Sequence, residues 1–257
     1  MGVNDRQKFI SSPDASRQIK FSHIFDMAKQ SFAHSVPVYG DFLSESEQSD
    51  LIQKAHLLPC EYALFGGYED ADRKMVAFVP EYINCDYPLS VVSVTTPNLS
   101  RLTHRDFLGS ILGLGIKREK CGDIIISENS CSIILHSDIA LFVRNNLLYV
   151  GREGVSTSIT DLESLILAPK KEVEITGTVN SARLDSIIAL FLKSGRNAAT
   201  EYISQGRVFV DGICAMKNDM HLSGGEKISV RGKGKAVLKI GGQSKKGRIF
   251  ITLNKYA

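Results

Sequence analysis

The spacing of apolar positions follows three patterns along this chain, and each marks a different kind of local structure. In the first 80 residues Phe21, Ile24, Phe25, Ala28 and Phe32 recur every three or four positions, the spacing of one helix face. Further on, SESEQSDLIQKA places a serine three residues ahead of a glutamate, the reciprocal pattern that caps a helix start. GGYEDADRK leading into KMVAFVP reads as a glycine turn, a charged loop and a short strand. Residues 1–80 are expected to form a mainly helical N-terminal domain.

Between Tyr87 and Leu165 strand and helix signals alternate. SVVSVTTP is β-branched and stops at Pro97; HRDFLGSILGLG turns Phe107, Leu108, Ile111 and Leu112 to one side before Gly113 and Gly115 end it. GDIIIS and CSIILH are two strands divided by the turn residues of ENS, DIALFVRNNL is a second helix, and VSTSIT a last strand. The order is βαββαβ, the split form with an antiparallel sheet, expected over residues 81–176. Such a sheet packs its helices on one face and can leave the other open to a nucleic acid or a partner.

A third pattern follows APKKEVEITGTV, itself a strand or linker. Leu184, Ile187, Ile188, Phe191 and Leu192 form the buried stripe of a helix that Ser181 can cap, and Ala198, Ala199, Tyr202 and Ile203 that of a second, capped by Ser194 and closed at Gly206. RVFVDG is a short strand into an Asp-Gly turn, and GGEKISVRGKG a strand between glycine turns. Two short helices leading into a hairpin make an L-shaped unit over residues 177–257. The fold class expected for the whole is α+β, in three small domains.

Charge sharpens this division. The chain of 257 residues carries a formal net charge of +3. From Gly177 onward there are 14 Lys and Arg against 5 Asp and Glu, a net of +9, which leaves −6 on the first 176 residues. A basic end on an acidic body points to a polyanion bound by that end. With the apolar stripe of the second helix turned inward, Arg196, Thr200 and Ser204 line its outer side and Arg207 follows its end. Guanidinium forks suit phosphate oxygens, and with no aromatic row interleaved the expected target is folded RNA.

Other chemistry is weakly represented. Cys60, Cys85, Cys121, Cys131 and Cys214 are odd in number and never fall at a chelating or redox spacing, and the six histidines are scattered, so neither metal nor cofactor is expected. No apolar run approaches the roughly 20 residues of a membrane helix, and the N-terminus lacks a signal core, so a cytoplasmic protein is expected. His104-Arg105-Asp106 has the letters of a kinase catalytic loop, but Ile111 stands where asparagine would hold magnesium. These residues are read either as a helix start with Arg105 and Asp106 tied locally, or with IKREK as a second basic contact made by His104, Arg105, Lys117, Arg118 and Lys120. Arg183-Leu184-Asp185 has the letters of a pseudouridine synthase motif; at a helix start, Asp185 reads instead as a first-turn acid or a partner that orients Arg183.

ARLDSIIALFLKSGRNAATEYISQGRVFVDG, then MKN, then GGEKISVRGKGKAVLKI resembles the S4-like (alpha-L) RNA-binding domain over about 60 residues. The resemblance implies that Arg183, Ser194, Arg196, Arg207 and Lys217 face RNA. Asp185, Lys193, Asn197, Thr200, Arg231, Lys233 and Lys235 complete the candidate set. FGGYEDADRK, THRDFLGSILGLGIKREKCGDIII and SVRGKGK, in this order, resemble the YlmH-type proteins of Gram-positive bacteria and relatives. That resemblance implies an RRM-like central domain and association with the large ribosomal subunit and tRNA, in quality control of stalled nascent chains; with no acid/base or nucleophile constellation backed by a motif, a non-enzymatic factor is expected. An RNA-modifying enzyme and an RNA-binding scaffold linked to cell division are the alternatives.

Overall fold

The computed structural model describes residues 3–80, 86–165, 167, 173–244 and 247–256. Cys85 and the start of the expected linker, residues 168–172, lie outside them. The chain divides into two compact units, Met1–Ser44 with Asp50–Ala168, and Glu45–Ser49 with Pro169–Ala257.

In the first unit α1 (Val3–Ile10) and α2 (Ala15–His34) precede β1 (Val38–Leu43), the part of α3 (Glu45–Lys54) from Asp50 onward, β2 (Tyr62–Phe65) and β3 (Lys74–Phe78). The strands form an antiparallel sheet in the order β1-β3-β2. Helices are more numerous here, as the periodicity indicates, but the expectation of a mainly helical domain needs correction by this sheet: VYGDFL and YALF are too short to show a period. Phe21, Ile24, Phe25 and Ala28 of α2 are buried against Phe9, Leu43 and Phe78, whereas Phe32, assigned to the same stripe, is 65% exposed.

The unit continues with β4 (Leu89–Thr95), α4 (His104–Gly113), β5 (Cys121–Ile126), β6 (Cys131–His136), α5 (Ser137–Asn146), a two-stranded ribbon of β7 (Tyr149–Val150) and β8 (Glu153–Gly154), and β9 (Ser156–Thr160). The sheet order is β5-β6-β4-β9, with every neighbouring pair antiparallel. Because strand side chains alternate faces, Val92, Val94, Ile133 and Leu135 are buried with Phe107, Ile111 and Val143 of the helices. Val91 and Ile134 cluster separately, with Phe42 of β1 and Met75 of β3, at 1% exposure or less. The N-terminal sheet covers the part of the second face that holds Val91 and Ile134, so a cut at residue 80 runs through a shared core, while Thr95, Ser156 and Ser158 on the β9 side of that face stay exposed.

The FGGYEDADRK segment fastens the two sheets. Asp123 of β5 accepts hydrogen bonds from the Tyr68 hydroxyl (2.8 Å) and from the backbone amides of Asp72 (2.7 Å) and Arg73 (3.1 Å). The Arg73 guanidinium donates to the Cys121, Phe42 and Arg118 carbonyls. Gly66 is required by close approach: a Cβ there would lie 2.3 Å from the Arg73 carbonyl oxygen, and Gly67 follows at φ +96°. Burial pushes the Cys131 thiol up to about 12, which keeps it protonated and unreactive.

The second unit is built on β10 (Val173–Val179), α6 (Leu184–Phe191), α7 (Arg196–Ser204), β11 (Val208–Val210), β12 (Ile213–Cys214), β13 (Lys227–Val230), β14 (Gly234–Gln243) and β15 (Ile249–Tyr256). Its antiparallel sheet runs β10-β15-β14-β13-β11-β12. The boundary expected at residue 177 cuts β10, which pairs along its whole length with β15. Leu184, Ile187, Ile188, Phe191, Ala199 and Ile203 pack on Val208, Ile228, Leu238 and Leu253. Asp211 and Gly212, both at positive φ, form the two-residue turn between β11 and β12.

Candidate nucleic-acid interface

Both helix starts in the second unit differ from expectation. Arg183, not Ser181, is the residue at the head of α6, and Gly195, not Ser194, heads α7. The free amides of Leu184 and Asp185 donate to the Met220 and Asn218 carbonyls, at 2.8 and 3.0 Å, partners more than 30 residues away. α6 ends with Lys193 in the left-handed region at φ +50°; the Lys193 amide donates to the Leu190 carbonyl and the Ser194 amide to that of Ala189. Ser194 therefore closes α6 through its backbone and leaves its side chain exposed.

Four candidate or neighbouring residues are joined by hydrogen bonds. The Arg183 guanidinium donates to both oxygens of Asp185, at 3.3 and 3.1 Å. The same carboxylate accepts from the Ser186 amide (2.8 Å) and hydroxyl (3.2 Å), and Ser186 Oγ accepts from Arg196 (2.8 Å). Asp185 is 7% exposed. Its inclusion among RNA contacts is corrected: the buried carboxylate accepts four hydrogen bonds from within the unit and orients Arg183, with Arg196 held through Ser186. A guanidinium fixed on one edge loses less freedom when another edge meets an anion.

A second group lies toward the far end of α7, a helix about 12 Å long at 1.5 Å per residue. Arg207 lies 4.1 Å from the Tyr202 ring centre and donates to the Arg231 carbonyl at 3.1 Å. Arg231 lies 5.5 Å from the Phe209 ring centre. The aromatic residues thus support arginines rather than forming a base-stacking row. Asn197, Lys217 and Lys233 are exposed, and Thr200 is half-buried on α7. Lys235 is spent differently: its ammonium is 3.3 Å from the Glu45 carboxylate, a residue grouped with the same unit.

A cleft of about 510 Å³ between β10 and the α6–α7 turn is lined by Thr176, Asn180, Lys193, Arg196 and Arg248, among others. Arg248, which donates to the Thr178 carbonyl at 2.7 Å, was missed in the sequence because β15 was not foreseen. The alternation of Ile249, Ile251 and Leu253 carries the strand signal.

The second candidate set separates into three kinds of residue. Arg118 donates to the Cys121 (2.7 Å) and Gly122 (3.2 Å) carbonyls, and Lys120 pairs with Asp41 (3.0 Å) and Asp138 (3.3 Å). These two are corrected to internal roles. Burial, with Arg118 beside it, holds the His104 imidazole below its ordinary pKa and so toward the neutral form. Arg105 and Lys117 are exposed. Asp106 accepts from the Thr103 amide (2.8 Å) and hydroxyl (2.7 Å), which starts α4 and holds the carboxyl below its ordinary range. Arg118→Ala is expected to cost roughly 1–2 kcal/mol of stability in urea denaturation, from two lost charged hydrogen bonds, while RNA affinity stays unchanged.

A family model described as "Putative RNA-binding domain in YlmH" matches residues 83–164. The "Ribosome-associated protein quality control protein P2" of Bacillus subtilis (strain 168) is 33% identical over 221 residues, covering 84% of this chain and 86% of that protein. The chain belongs to the YlmH family. Among solved structures, "Cell division protein ylmH from Streptococcus pneumoniae" matches with a TM-score of 0.50 at 18% identity, over 61% of this chain and 98% of that one, a likeness of fold. In this YlmH-family chain the matched segment holds the second candidate set, and the Arg183 network lies beyond it. No helix among the described residues is long and apolar enough to cross a membrane.

Proposed function

We propose that this protein is a non-enzymatic RNA-binding factor that associates with the large ribosomal subunit and tRNA during quality control of stalled nascent chains. The observation that carries the reading is the brace of Arg183 and Arg196 by buried Asp185 and Ser186: two guanidinium groups are held for an anion, on a unit with an excess of positive charge. The two-helix element leading into β11 and β12 supports an S4-like assignment of this unit, and the order β5-β6-β4-β9 supports an RRM-like one for the matched segment. The name of the Bacillus subtilis relative supports the ribosomal setting. Asp185 is buried and its carboxylate accepts four hydrogen bonds from Arg183 and Ser186, a setting that favours a positioning role over nucleophilic attack on a base.

The test is binding to purified large subunits and to ribosomal RNA across a salt series. Affinity is expected to fall with a log-log slope of about 0.9 per neutralised phosphate, and the protein to co-sediment with large subunits at low salt. A salt-independent curve, or new modified nucleosides in the incubated RNA by mass spectrometry, would sink the reading.

A further inference from the structure

Three cations from separate parts of the second unit line one cleft. Lys193 and Arg196 come from the turn between α6 and α7, and Arg248 stands just ahead of β15. Gly177 lets the two walls approach: a Cβ there would lie 2.5 Å from Leu190 Cδ1 of α6. None of the described residues lining the cleft is acidic, so its positive charge is not balanced from within. We infer that Lys193, Arg196 and Arg248 together hold one phosphate of the bound RNA in this cleft; the inference rests on the function proposed above. The subsite carries the RNA contact beyond the two helices and onto β10 and the start of β15.

Each cation is positioned differently. The Arg248 amide donates to Ser244 Oγ at 3.1 Å, the Ser244 amide donates to the Arg248 carbonyl at 2.7 Å, and the Arg248 guanidinium donates to the Thr178 carbonyl at 2.7 Å. Arg196 donates to Ser186 Oγ, on a residue 5% exposed. A guanidinium carries five N–H donors, so one internal bond on each arginine leaves donors for an anion. Lys193, exposed and set by its left-handed backbone, makes no side-chain hydrogen bond or ion pair with a described residue.

The start of α7 adds to the same field. Gly195 has no side chain to cap this helix, and the amides of Arg196, Asn197 and Ala198 meet no acceptor among the described residues. Ser194 and Arg196 line the cleft, so the positive end of α7 lies at its rim. A cleft of about 510 Å³ is larger than one phosphate requires, and Thr176 and Asn180 offer a hydroxyl and an amide to the attached ribose.

The test uses the full-length protein and ribosomal RNA across a salt series. Arg248→Gln removes the charge but keeps an amide able to donate to the Thr178 carbonyl, and melting curves check that the fold is kept. It is expected to bind roughly three- to tenfold more weakly, with a salt slope shallower by about 0.9. Lys193→Ala should also weaken binding, and the Lys193→Ala, Arg248→Gln double variant should lose less than the product of the two single losses, because both side chains address one phosphate. Acetylation read by mass spectrometry should label Lys193 in the free protein and spare it once RNA is bound. Wild-type affinity and slope in Arg248→Gln, single losses that multiply in the double variant, or Lys193 labelled equally with and without RNA would each overturn the cleft contact. In any of those cases the proposed function stands if Arg183→Ala still weakens binding. Wild-type protein that does not bind the RNA overturns both.

Discussion

Asp123→Ala is expected to lower the melting temperature of the first unit by about 6–12 °C, corresponding to roughly 3 kcal/mol at about 2–4 °C per kcal/mol for a unit of this size. The substitution leaves the Tyr68 hydroxyl and the Asp72 and Arg73 amides without the carboxylate that satisfies them. Burial and the neighbouring carboxylate push the Tyr68 phenol up, so it remains a donor throughout the neutral range. Burial also raises the Asp123 carboxyl above its ordinary 3.8, against the hydrogen bonds from Tyr68 and Asp72 that lower it. The native state therefore holds this proton more tightly than the unfolded chain. The stabilisation from that proton is fully present below pH 3.8 and is lost as the pH rises through the folded value. The gap between wild type and Asp123→Ala should accordingly be wider in mild acid than at neutral pH, measured by urea titration at both. An equal gap would show that the carboxyl titrates normally.

Asp185→Ala should cut RNA affinity roughly tenfold while leaving the salt slope near its wild-type value, because every cation is still present. What is lost is the hold on Arg183 directly and on Arg196 through Ser186, so two side chains must be ordered at the moment of binding. The Arg183→Ala, Arg196→Ala double variant should lose comparable affinity but flatten the slope by about 1.8, at 0.9 per phosphate. Unfolding of Asp185→Ala should also become easier by about 2 kcal/mol, since a buried carboxylate with four hydrogen bonds is removed. Measuring affinity well below the melting range separates the two effects. An Asp185→Ala variant that binds like wild type would show that the brace does not prepare the surface.

The same kind of contact explains which parts of the chain were legible. Long periodic stretches announced themselves: α2, α4, α5, α6 and α7 lie where apolar residues recur at helical spacing, and β4, β5, β6 and β9 where β-branched runs meet turn residues. A local pair was legible too, Arg183 with Asp185, because the partners lie two residues apart. The caps of α6 were not. Its first amides are met by carbonyls of residues 218 and 220, and no local sequence signal reports a partner that distant.

Charge shows the same limit. The sequence by itself determined that the C-terminal third is basic and mixed in structure, because net charge and periodicity are properties of residue order alone. It did not determine which cations are free. Lysine and arginine look alike in a sequence whether they face solvent or a carbonyl, and only the tertiary structure turns Arg73 and Arg118 inward, pairs Lys120 with Asp41, and leaves Arg105 and Arg152 exposed. Period-two alternation likewise determined that β4 and β6 have two faces. That part of the second face is covered by Phe42 and Met75 followed from the docking of another sheet, where burial of apolar area between separate segments decides the outcome.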